Sequence, residues 1–161
     1  MPRGKPAMDM QALRVMVVDD SPIITRKICM MMEMLGYLVV KTAGNGVEAI
    51  AAYRECQPDL VTMDITMPVM DGIEATRHIR GEFPDANIIM VTSHGQERMV
   101  LDALKAGAKG YVLKPFQQQR LVAVIEKACR RFILPSMLEA EIMQREGKTA
   151  DIQSKSPLVC A

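Results

Sequence analysis

The sequence predicts an α/β fold, a doubly wound parallel sheet of five strands with helices on both faces and a short helical extension at the C-terminus. Three observations predict it. Apolar, β-branched runs alternate five times with amphipathic segments across short connections, which is the pattern of repeated βα units. Two of these runs, Val15-Met16-Val17-Val18 and Ile88-Ile89-Met90-Val91, are apolar at every position, as strands covered on both faces are. Capping residues and glycines punctuate the amphipathic segments where helices should begin and end.

The elements follow in order. Arg14–Val18 reads as the first strand. Ser21 can cap a helix with Pro22 at its first position, and Ile24, Ile28, Met31, Met32 and Leu35 form its apolar stripe until Gly36 ends it. Leu38–Thr42 is the second strand. Asn45 caps a helix that runs to about Gln57, and Leu60–Met63 is the third strand. A loop through Met67, Pro68 and Met70 leads to a helix from about Gly72 to Arg80. Asn87–Thr92 is the fourth strand, Gln96–Ala106 a helix closed by Gly107, Gly110–Leu113 the fifth strand and Gln117–Leu134 the fifth helix. Pro135 breaks the pattern, and Ser136–Gln144 could form a short extra helix with Leu138 and Ile142 on one face.

Bulk properties narrow the function. The 161 residues carry 20 basic and 19 acidic side chains, a net charge of +1, which builds no field for nucleic acid or an anionic membrane. No apolar run reaches the ~18 residues of a membrane span, and Met1–Gln11 lacks the apolar stretch of a secretory signal. The four cysteines, Cys29, Cys56, Cys129 and Cys160, have no metal-site spacing and read as reduced thiols of a cytoplasmic protein. Most of the 15 methionines read as core, because Met31 and Met32 fall on a helical stripe.

Chemistry collects at the carboxyl ends of the strands, where open α/β sheets bind ligands. The first strand ends in Asp19-Asp20, the third in Asp64, the fourth in Thr92-Ser93 and the fifth in Lys114-Pro115. In the order 2-1-3-4-5 these strands are contiguous, so one crevice receives three carboxylates, a hydroxyl and an ammonium. Three close carboxylates repel unless a hard divalent cation or protons join them, and Mg2+ suits such oxygen donors together with a phosphoryl oxygen. Asp64 stands alone on the central strand and is the candidate nucleophile, giving an acyl phosphate. Lys114 would neutralise phosphoryl charge and Thr92 would donate a hydrogen bond to it.

At these residues the chain resembles the receiver domains of two-component signalling. The resemblance covers about Leu13 to Arg131, through VMVVDDSP, DLVTMDITMPVMDG, IIMVTS and AGAKGYVLKPF in order and at the family's spacing. It implies a flavodoxin-like fold and a phosphoacceptor at Asp64, not an enzyme in the ordinary sense, with Mg2+-dependent self-phosphorylation from small donors and self-dephosphorylation. It implies that Asp20, Asp64 and the carbonyl of Thr66 hold Mg2+, with Asp19 acting through water, and that Thr92 and Lys114 contact the phosphoryl group. It implies a cis Lys114-Pro115 peptide and a switch in which Tyr111 turns inward as Thr92 moves. Thr66 and His94 fall where the family tunes the lifetime of the phosphoryl group; His78 reads as a surface residue.

The resemblance divides the chain into an N-terminal arm (1–12), a receiver (13–134) and a C-terminal extension (135–161). The stretch after Arg131 is too short for a DNA-reading domain, and HGQERMVLDALKAGAKGYVLKPFQ is most similar to stand-alone chemotaxis regulators. The implied partners are a histidine kinase of chemotaxis type and the flagellar motor switch or another signalling protein, with the chain a monomer or weak dimer. A phosphate sink, a relay shuttle or a regulator of another signalling protein are the other readings inside the family. Outside it, an electron carrier needs a hydroxyl- and glycine-rich loop where Asp19-Asp20 stands, and a nucleotide fold needs a glycine motif that the chain lacks. A dehalogenase-type phosphatase has a second Asp where this chain has Thr66.

Overall fold

The structure, a computed structural model, describes residues 12–129. The N-terminal arm as far as Gln11, the last turns expected of the fifth helix, the extension from Pro135 with its short helix, and Cys160 lie outside the described residues.

Ten elements alternate: β1 (Arg14–Val18), α1 (Pro22–Met34), β2 (Leu38–Ala43), α2 (Gly46–Cys56), β3 (Leu60–Met63), α3 (Gly72–Glu82), β4 (Ile88–Thr92), α4 (Glu97–Ala106), β5 (Gly110–Leu113) and α5 (Gln118–Ala128). The strands form one parallel sheet, as the sequence predicts, in the order β2-β1-β3-β4-β5. The caps explain the boundaries. The Ser21 hydroxyl accepts from the N–H of Ile24, Asn45 Oδ1 from Glu48 and Asp71 Oδ1 from Glu74. The Glu48 carboxylate in turn accepts from the Gly44 N–H. Gly107 closes α4 with φ +110°, a left-handed conformation that glycine adopts without strain.

The pleat splits the core in two. Met16, Val18, Val61, Met63, Ile88 and Met90 point to α2, α3 and α4, where they meet Ala49, Ala52, Ala75, Ile79 and Ala103. Val15, Val17, Leu60, Ile89 and Val91 point the other way, to Ile28 and Met32 of α1 and Leu121 and Ile125 of α5. Ile28 and Met32 are buried as the stripe predicts, and Ile24 and Met31 pack against the same cluster. Ile23, Met30 and Met34 of the same helix face outward.

One polar group sits in the second core without a partner. Thr62 pairs in register with Val17 and Ile89, is fully buried, and its hydroxyl has no hydrogen-bond partner among the described residues. A buried hydroxyl without a partner costs about 1–3 kcal/mol of desolvation. Thr62→Val keeps the shape and removes the group, so it should raise stability by about 1 kcal/mol in a urea titration. A loss of 1 kcal/mol or more would show that the hydroxyl is satisfied in solution.

Candidate functional site

Four loops at the carboxyl edge of the sheet build one site. Asp19 follows β1 and is almost completely buried. Its Oδ1 accepts from the Ser21 N–H at 2.9 Å, and its Oδ2 receives the Lys114 ammonium at 2.5 Å. Its backbone carbonyl accepts the Thr25 hydroxyl at 3.2 Å. Both carboxylate oxygens of Asp19 are therefore engaged within the protein. Asp20 beside it is exposed.

Asp64 continues β3, and its N–H donates to the Val18 carbonyl of β1 at 2.9 Å. Oδ1 accepts from the Ile65 N–H at 2.9 Å and lies 3.7 Å from Lys114 Nζ, whereas Oδ2 accepts no hydrogen bond from the described residues. One carboxylate oxygen is held and the other is free to react. Gly72 makes this corner possible: its N–H donates to the Ile65 carbonyl at 2.7 Å, which brings the start of α3 against the end of β3. Val69, in the same loop, is exposed and adopts φ +71°, a strained conformation for a β-branched residue.

Asp19, Asp20 and Asp64 each present an oxygen within 4.8 Å of the others. Like charges so close destabilise one another, and oxygen donors in this number suit a hard divalent cation that keeps several waters. The chemistry of the donor set therefore fits Mg2+. Burial pushes the Asp64 carboxyl above its ordinary range; Asp19 and Asp20 add to that shift, while Lys114 and the Ile65 N–H oppose it. The three carboxylates open into a cleft of about 530 Å3 lined also by Ser21, Ile24, Lys27, Ile28, Thr66, Ser93, His94, Lys114, Pro115 and Phe116.

The structure thus brings Asp19, Asp20, Asp64, Thr66 and Lys114 to one cleft. Thr92 stands just behind its wall: it is fully buried, and its hydroxyl accepts from the His94 N–H at 3.3 Å. Tyr111 lies outside the cleft, half-buried against the α2–α4 core, with its hydroxyl donating to the His94 carbonyl at 2.5 Å. Thr92 and Tyr111 therefore hold the same short loop from two sides. The Lys114-Pro115 peptide is cis. His78 is on the surface, 3.9 Å from Glu74. Sequence reasoning read Ser21 only as a helix cap, and it missed Lys27, Ile24 and Phe116 as cleft residues.

Comparison with known proteins decides the family. The model of the response regulator receiver domain matches residues 15–126. This chain belongs to the response regulator receiver family. The receiver is 43% identical over 118 residues to the chemotaxis protein CheY of Listeria monocytogenes, covering 73% of this chain and 99% of that one. It is 46% identical over 116 residues to CheY of Bacillus subtilis, covering 72% and 97%. Among solved structures it resembles a chain of the CheX-CheY-BeF3-Mg2+ complex of Borrelia burgdorferi, with a TM-score of 0.69 and 33% identity over 71% of this chain and 87% of that one. Receivers are phosphoacceptors rather than conventional enzymes, regulate responses through phosphorylation, and bind Mg2+ at an acidic pocket such as the one described above. Among the described residues no helix is long and apolar enough to cross a membrane.

Proposed function

We propose that this receiver accepts a phosphoryl group on Asp64 from a histidine kinase and thereby changes its affinity for a signalling partner, in a chemotaxis pathway. The observation that carries the reading is the end of β3, where a buried carboxylate with one free oxygen stands beside Lys114 and two further aspartates. The similarity to chemotaxis proteins over nearly their whole length supports the pathway.

In the reaction, Asp64 Oδ2 attacks phosphorus, an O–P bond forms, and the bond from phosphorus to the donor's leaving atom breaks with its electron pair. A leaving imidazole takes a proton from water. Lys114, between Asp19 and Asp64, supplies positive charge to the phosphoryl oxygens. Asp20, Asp64 and the Thr66 carbonyl would hold Mg2+, with Asp19 acting through water because both of its oxygens are already engaged. The ion, when bound, neutralises developing phosphoryl charge. Thr92 then turns its hydroxyl from the His94 N–H to a phosphoryl oxygen, which pulls on the loop that Tyr111 also grips. A few kcal/mol of differential contact is enough to invert such a two-state population.

Incubation with acetyl phosphate and Mg2+, followed by borohydride trapping and peptide mass spectrometry, tests the reading. One label per chain, at Asp64, is expected; a label on another residue overturns it. Asp20→Ala should weaken Mg2+ binding by at least about tenfold, the cost of losing even an outer-shell partner. Equal affinity in a fluorescence or calorimetric titration would remove Asp20 from the ligand set.

A further inference from the structure

The cleft holds two lysines, and only one of them is engaged. Lys114 is bonded to Asp19 at 2.5 Å and stands 3.7 Å from Asp64. Lys27 lines the same cleft from α1, is exposed, and makes no ion pair among the described residues. The same cleft is lined on its apolar side by Ile24 and Ile28 from α1 and by Pro115 and Phe116 from the loop after β5. The cleft, about 530 Å3, is larger than one phosphoryl group needs, so there is room for the rest of a donor beside this wall.

Charge explains what such a lysine would do. Three carboxylates give the cleft a charge of about −3, Lys114 reduces it to about −2, and a bound divalent ion brings it to about zero. An arriving phosphodonor is an anion, and a neutral cleft gives it no net attraction. Lys27 makes the loaded cleft positive, and the apolar part of the lining leaves room for a leaving group.

We propose that Lys27 is a phosphodonor-binding residue, which draws anionic donors, acyl phosphates among them, into the cleft before transfer to Asp64. The inference rests on the phosphoacceptor reading above. Lys27 acts on the arrival of the donor. Once the donor has left, the nucleophile in hydrolysis of the phosphorylated Asp64 is an uncharged water, which a distant positive charge does not draw in, so Lys27 has little part in it.

The test uses the full chain with acetyl phosphate at saturating Mg2+ and low ionic strength. Lys27→Gln should lower the second-order rate constant for phosphorylation about fivefold, the effect of one unit charge near a protein surface. Lys27→Glu should lower it further and Lys27→Arg should restore it. The differences should shrink at about 1 M salt, where the screening length falls to a few ångströms. The rate of phosphoryl loss after donor removal should be the same in all four proteins. Wild-type kinetics in Lys27→Gln overturn the inference. So does a parallel slowing of gain and loss that Lys27→Arg does not rescue, because that marks a structural role. If the wild-type chain takes no label at Asp64, the phosphoacceptor reading itself has failed and this inference falls with it.

Discussion

Asp64→Asn should accept no phosphoryl group from acetyl phosphate and Mg2+, and in metal-free buffer at neutral pH it should be more stable than wild type. The first effect is a complete loss. An amide oxygen is a poor nucleophile, and neither Asp19 nor Asp20 can replace Asp64. Asp19 has both oxygens committed to Ser21 and Lys114, and Asp20 lies on the solvent side of the cleft. The second effect follows from burial. Asp64 is 6% exposed and has its carboxyl raised above the ordinary range, so the folded chain binds a proton there more readily than the unfolded chain does. At pH values above the raised folded pKa, the ionised group destabilises the fold by its full amount. As pH falls through that pKa toward the ordinary carboxylate value of about 4, protonation in the folded state removes the penalty. Asn never carries the charge, and Lys114 keeps Asp19 as its partner in the variant. The variant's advantage should therefore be largest at neutral pH and should close on acidification. Thermal melts with chelator across that range measure it. A stability gap that does not change with pH would show that Asp64 is not the destabilising charge, and labelling of the variant would end its assignment as phosphoacceptor.

Much of this site was legible because the strands are short and their ends are chemically abrupt. Val18 to Asp19, Met63 to Asp64 and Leu113 to Lys114 each pass from apolar to charged in one step, and parallel strands deliver all three to one edge. Other features depend on distances between elements far apart in sequence, which residue types do not encode. Lys27 reads as one polar position on α1, and only the fold, which sets α1 and the loop after β5 along one cleft, makes it a cleft residue. Thr92 ends β4, as its place in the sequence implies, but its burial behind the wall reflects the fold of the loop after it. The apolar pattern of α1 is also ambiguous: Ile23, Met30 and Met34 are as hydrophobic as Ile24, Ile28 and Met32, and the docking of α1 on the sheet decides which set is buried. The apolar pattern puts Gln96 within the fourth helix, but it stands at the N-cap, with no side-chain cap bond.

Two glycines of α3 should respond oppositely to the same methyl group, and the contrast tests how the phosphorylation site is built. Gly81 meets nothing within 4 Å of an added β-carbon and has an ordinary helical backbone. Gly81→Ala should therefore raise stability by about 0.5–1 kcal/mol, through lower backbone entropy in the unfolded chain. Gly72, nine positions earlier in the same helix, is packed against the strand that carries the nucleophile. A β-carbon there would overlap the backbone carbonyl of Asp64 and lie 2.8 Å from Met63 Cγ. A side chain can move aside, but this carbonyl belongs to the backbone beside a parallel ladder, and the Gly72 N–H is bonded to Ile65. Relief would require the β3–α3 corner to open, which would carry Asp64, Ile65 and Thr66 out of register with Lys114. Gly72→Ala should cost about 3 kcal/mol, the upper range for overpacking, and lower the melting temperature by roughly 10 °C. The chain that still folds should phosphorylate more slowly and bind Mg2+ less tightly than wild type, because the corner that presents Asp64 has shifted. If Gly72→Ala matches Gly81→Ala in stability and wild type in Mg2+ affinity, the close approach of α3 to Asp64 does not set the geometry of the site.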